Sequence, residues 1–149
     1  MEPNPRGVDL RPLDDEQVFR RFLSHFYTTR RNLAGGRHRA WEPPTDVYET
    51  PEHIVLKVCI PGVQPDQVAV KVNGEVITVC GVRRGADPSS VVAYHQMEIN
   101  NGYFERRIAI HKPFDPNGAT ARYENGFLYV LVPKASQMVR HVLTVRIGV

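Results

Sequence analysis

The chain reads as an all-β sandwich with a helical arm in front of it and an extended tail behind. Three observations carry that reading. Asn73-Gly74 and Asn125-Gly126 each lie between apolar strand-type runs, the pattern of a tight hairpin. Further strand-type runs, punctuated by Gly and Pro, fill residues 41–134. Apolar residues recur at helical spacing near the start of the chain, well before the first of these strands.

Composition sets the frame. The 149 residues suffice for one domain with flanking arms, and 42% hydrophobic with 23% charged residues is ordinary for a globular protein. The longest apolar run, Phe127 to Val132, is far too short for a membrane span. Met1-Glu-Pro-Asn-Pro5 has neither a basic nor an apolar leader region, so no secretory signal is expected. Cys59 and Cys80 do not make a disulfide framework, and a reducing cytoplasm is the expected location.

Charge is unevenly placed. Residues 1–40 hold eight Arg against five acids, residues 41–134 nine bases against eleven acids, and residues 135–149 two Arg. Basic arms around a mildly acidic body can meet nucleic acid, anionic lipid or a neighbouring subunit. No basic-aromatic platform or helix-turn-helix pattern accompanies them, so neither nucleic acid nor membrane is the expected partner.

Taken in order, residues 1–13 are kept irregular by Pro3, Pro5, Gly7 and Pro12. Asp14-Asp15-Glu16 then suit a helix N-terminus, and Val18, Phe19, Phe22, Leu23, Phe26 and Tyr27 line one face. This predicts an amphipathic helix over about residues 15–28, followed by a linker with Gly35-Gly36. Together they make residues 1–40 an N-terminal arm. The apolar face has no domain of its own, so it rests on the body, on a sister subunit or on another protein.

The β-rich body, residues 41–134, opens at Trp41-Glu-Pro-Pro-Thr-Asp-Val-Tyr48-Glu49. In His53–Ile60, Ile54, Leu56, Val58 and Ile60 share one face, and Pro61-Gly62-Val63 ends the run. Val68–Val72 leads through Asn73-Gly74 into Val76–Gly81 and Arg83. Residues 84–97, with Gly85, Pro88 and a short Val91–His95 run, form a loop long enough to need a job. Glu98–Ile108 follows. In the last hairpin Leu128, Val130 and Val132 lie on one face and Phe127, Tyr129 and Leu131 on the other, so cover is expected on both sides. Pro133 ends that strand. In the extension, residues 135–149, Leu143-Thr144-Val145 and Ile147-Gly148-Val149 each point two aliphatic side chains the same way from an extended chain.

These stretches together resemble the α-crystallin domain of small heat shock proteins, bacterial and plant type. The matches are Trp41-x-Pro with Asp46-x-Tyr48-Glu49, Ile60-Pro-Gly-Val63, and the hairpin ending in Gly81-x-Arg83. They continue with Glu98…Gly102-x-Phe104-x-Arg106 and Ala121-x-x-x-Asn125-Gly126-x-Leu128 running to Pro133-Lys134. One departure is His111 where the family usually has Pro, with Pro113 two residues on; it touches the local turn alone.

The resemblance implies an immunoglobulin-like β-sandwich. It implies a dimer in which the 84–97 loop pairs with the partner's first strand, with Arg106, Tyr94, Val92, Trp41 and Tyr48 at the interface. It also implies that Leu143 and Val145, or Ile147 and Val149, anchor in a groove lined by Val68, Val70, Val72, Ala119, Ala121 and Tyr123 of a neighbour; without a partner, packing on their own domain is the alternative. Val18, Phe19, Phe22, Leu23, Phe26 and Tyr27 are the expected client contacts. The implied function is an ATP-independent holdase. Its partners are further copies of itself, unfolded client proteins and ATP-driven chaperones downstream. The rival readings are a monomeric sandwich-type co-chaperone or scaffold adaptor, and a membrane- or nucleic-acid-associated stress protein.

Motifs for chemistry are missing from the sequence. It has no Gly-x-Gly-x-x-Gly, no phosphate loop and no Gly-x-Ser-x-Gly elbow, and its six His lack metal-ligand spacing with Cys or acids. No catalytic residue, cofactor, metal or small-molecule substrate is expected, and an enzyme is not.

Overall fold

The computed structural model describes residues 40–87, 89–139 and 141–149. The expected helix over about 15–28, with its six client-facing residues, lies outside the described residues. The described strands are β1 (Thr45–Glu49), β2 (His53–Cys59), β3 (Val68–Asn73), β4 (Val76–Arg83), β5 (Gly102–Ala109), β6 (Thr120–Glu124), β7 (Phe127–Pro133), β8 (Val142–Val145) and β9 (Ile147–Gly148). They form two sheets, ordered β1-β2-β7-β6-β9 and β5-β4-β3-β8.

Alternation decides which face each sheet buries. Ile54, Leu56 and Val58 of β2, with Leu128, Val130 and Val132 of β7, line one inner face. Val70 and Val72 of β3, with Ile77 and Val79 of β4, line the other. All ten are at most 2% exposed, so the core is a dry aliphatic layer between two pleated surfaces. Phe104 and Phe114 fill it out from β5 and from the loop before β6. Gly81 lets the second sheet close: a Cβ there would sit 2.7 Å from the Phe104 ring and collide with the Gln67 carbonyl oxygen.

The two Asn-Gly dipeptides make different turns. Glu124 pairs with Phe127, which leaves Asn125 (φ 50) and Gly126 (φ 84) as the central residues of a type I′ turn. In the other hairpin Asn73 pairs with Val76, so the central residues are Gly74 (φ 57) and Glu75. Positive φ at the first central position is the type II′ requirement. Burial chose the register, because centring that turn on Asn73-Gly74 would set Glu75 opposite Val72 on the inner face.

The outer face of β7 has the cover its apolar residues call for, supplied by long cationic side chains. Lys57 Nζ lies 4.3 Å from the centre of the Phe127 ring, and the Arg122 guanidinium lies 5.1 Å from that of Tyr129. Val55 is buried on this side too, paired across the ladders with Tyr48 and Leu131. Cys80 is buried beside Ala69 and Tyr103; burial, with Glu105 adding to it, pushes its thiol up to about 12, so it stays a neutral packing group. Cys59 is half-buried.

Candidate docking site

The sandwich has two lateral seams where the sheets part. The first lies between β3 and β6, and the tail fills it. β8 adds antiparallel to β3, with Val145 opposite Val70 and Leu143 opposite Val72. After Arg146 the chain crosses to the other sheet, where β9 runs parallel to β6 with Ile147 opposite Ala121. Val145 is buried, and Leu143 and Ile147 are half-buried against the same core. Val68, Val70, Val72, Ala119 and Ala121 are all buried along this slot. Tyr123 packs beside them and donates its hydroxyl hydrogen bond to the Ile60 carbonyl, 3.2 Å away. Three tail aliphatics therefore enter, where the sequence offered two alternative pairs. Val149 does not enter: it is 94% exposed because the ladder with β6 ends at Gly148. In this single chain the slot is filled by the chain's own tail, one of the two occupants that the sequence left open.

The second seam lies between β1 and β5. Trp41 crosses it as an isolated bridge to Phe104, its N–H donating to the Tyr103 carbonyl (3.2 Å) and its carbonyl accepting from Glu105 N–H (3.1 Å). The Trp41 and Phe104 ring centres are 5.2 Å apart. Beside them Arg106, which shares the inward side of β5 with Phe104, reaches Glu42 Oε2 at 3.1 Å. Its Nε–H is buried without an acceptor, an arrangement that costs about 1–3 kcal/mol unless something else supplies one. At the far end Glu49 of β1 pairs with Lys112 (2.5 Å), which follows β5, and with Lys134 (2.8 Å), which follows β7. Those two ammonium groups hold the Glu49 carboxyl down at about 2.

β1 is an edge strand, and its Val47 and Tyr48 are 45% and 44% exposed. Between β4 and β5, Val92, Tyr94, Met97 and Ile99 are also exposed. The expected short strand over Val91–His95 is not formed. An extended segment needs a sheet edge to satisfy its backbone groups, and residues 91–95 pair with none of the described strands. The structure thus brings Trp41 and Arg106 together at this seam and sets Tyr48 on the strand flanking it. Val92 and Tyr94 stay out in the loop.

Sequence reasoning missed Glu42, Glu49 and Phe114 as structural partners. Glu42 had a signal, since it follows the Trp41 that begins the body. No other signal links Glu49 to Lys112 or Lys134, because these pairs span 63 and 85 positions.

The chain matches the model of the Hsp20/alpha crystallin family over residues 46–148. It is 27% identical over 128 residues to Small heat shock protein C2 of Rickettsia felis, covering 82% of this chain and 78% of that protein. It is 38% identical over 91 residues to the 16.9 kDa class I heat shock protein 1 of Triticum aestivum, 60% of each. Among solved structures, a small heat-shock protein from Xylella fastidiosa superposes with a TM-score of 0.60 at 29% identity, covering 69% of this chain and 95% of that one. hspA from Xanthomonas axonopodis gives 0.59 at 30% identity, with 64% and 96% covered.

Proposed function

Because the chain belongs to the Hsp20/alpha crystallin family, we propose that it is a chaperone acting as an ATP-independent holdase. It binds partly unfolded proteins under heat or other stress, keeps them from aggregating, and leaves refolding to ATP-driven chaperones. One observation carries this reading: a slot between β3 and β6 that accepts an extended segment with alternate aliphatic side chains and adds it to both sheets. An unfolded polypeptide and a second copy's tail offer that same chemistry. Each fully buried aliphatic side chain contributes about 1.5–3 kcal/mol before ordering costs, so one such contact is weak and reversible. Many of them in a closed assembly are not.

The building block is a dimer in which the 84–97 loop, carrying Val92 and Tyr94, pairs with β1 of a second copy beside Tyr48. The open β1 edge supports this, because unpaired backbone groups there await a strand. So does the unmatched Nε–H of Arg106, which a second copy can satisfy. In dilute solution the tail competes for its own slot, since tethering raises its local concentration. At working concentration it docks on a neighbour. The arm residues Val18, Phe19, Phe22, Leu23, Phe26 and Tyr27 supply further client contact, and the cytoplasm is the proposed location.

Light scattering across temperature, run beside an aggregation assay with a heat-denatured client, tests the reading. The expected result is a particle larger than a dimer that suppresses aggregation equally with and without ATP. Replacing Phe19, Phe22 and Phe26 by Ser should weaken that protection. A monomer at micromolar concentration that gives no protection would favour the adaptor reading instead.

A further inference from the structure

Arg83 is the last residue of β4, where the chain leaves the sandwich for the loop that ends at Gly102. Its side chain faces back across the neck of that loop. Nε and one terminal nitrogen donate to the Asn100 carbonyl at 2.8 and 2.5 Å, and the other terminal nitrogen donates to the Pro61 carbonyl at 3.3 Å. The same guanidinium lies 4.3 Å from the centre of the Trp41 ring. Trp41 in turn donates its indole N–H to the Gly102 carbonyl, 3.4 Å away, where Gly102 (φ 87) turns the returning chain into β5.

One planar group thus joins Trp41 at the start of the body, the turn after β2 and both ends of the 84–101 loop. Geometry explains why it is arginine. A guanidinium forks its donors to two carbonyls while its flat face stacks on an aromatic ring; an ammonium can do one or the other. The Pro61-Gly62 turn leaves room, because even a Cβ on Gly62 (φ 79) would be 3.9 Å from the Arg83 Cδ.

We propose that Arg83 is a positioning residue for the loop. It closes the loop's neck so that the segment carrying Val92 and Tyr94 leaves the sandwich in a fixed direction, and it ties that direction to Trp41, where the arm joins the body. This rests on the reading that the loop pairs with a second copy. Without the clamp the neck must be ordered at the moment of pairing, and that ordering is subtracted from the affinity.

The test uses the full-length chain in native mass spectrometry over a dilution series, with the emission of Trp41, the chain's single Trp, read in parallel. Arg83→Lys keeps a cation over the indole and loses the fork. It should raise the dimer dissociation constant about tenfold while the melting temperature and Trp41 emission stay near wild type. Arg83→Ala should raise it at least as much and also shift the emission. Wild-type dissociation by Arg83→Lys overturns the role of Arg83 and leaves the dimer standing. A wild-type chain that is monomeric throughout overturns both.

Discussion

The two seams of this sandwich are closed by different chemistry. Between β3 and β6 the closure is aliphatic: Leu143, Val145 and Ile147 against Val70, Val72 and Ala121. Between β1 and β5 it is aromatic and ionic: Trp41 on Phe104, Arg106 with Glu42, and Glu49 with Lys112. An aliphatic closure depends on area and on alternation, so the same contacts form with any tail of that pattern, in its own chain or another's. An ionic closure depends on direction and is screened by salt. The tail seam therefore suits exchangeable docking, and the β1/β5 seam suits one fixed orientation between two copies.

The largest expected effect comes from removing the ring that supports the second seam. Phe104→Ala should lower stability by about 3–5 kcal/mol in denaturant unfolding, because Phe104 is fully buried and fixes Trp41. It should also shift Trp41 emission to the red. A loss below about 1 kcal/mol would mean that the core closes over the gap and the seam does not depend on that ring.

Next is the tail. Leu143→Ala with Val145→Ala should cost about 2–4 kcal/mol in the isolated subunit, less than full burial of both would give because Leu143 is half-exposed. In the assembly it should shrink the particle towards dimers. Both effects should be the same at low and high salt, which is the contrast with the ionic seam. Ile147→Ala with Val149→Ala should do less, since only Ile147 is seated. If this second pair shrinks the particle and the first does not, the wrong pair has been assigned as anchor.

Local chemistry explains what could be read from the chain and what could not. Alternation made the inner face of β2 and the Leu128-Val130-Val132 face of β7 legible, because period-two patterning leaves one register that buries them. The slot lined by Val70, Val72 and Ala121 was legible as a groove through the family resemblance. Whether a neighbour's tail or the chain's own fills it was left open, since aliphatic complementarity carries no address. The Asn73-Gly74 hairpin was legible as a turn, but its type was set by where Glu75 could be exposed, a tertiary condition. The need for cover over Phe127 and Tyr129 was legible, but what supplies it was not, for a related reason. Lys57 and Arg122 count as polar in a pattern, yet their long side chains reach over the rings.

The smallest effect is the one that separates the seams most cleanly. Glu49 titrates at about 2 in the folded chain against its ordinary 4.5, with hydrogen bonding to Lys112 the first cause and to Lys134 the second. A carboxyl held down in this way adds stability above pH 4.5 and loses it as pH falls through about 2. Glu49→Gln should therefore be less stable than wild type at neutral pH, with the gap closing as pH drops from 4.5 to 2 and narrowing in high salt. At 37% exposure the pair is largely screened by water, so the gap should be small. The tail variant Leu143→Ala with Val145→Ala should show no such pH dependence, because neither residue titrates. A Glu49→Gln gap that persists at pH 2 would assign the role of Glu49 to packing and remove the ionic character claimed for this end of the seam.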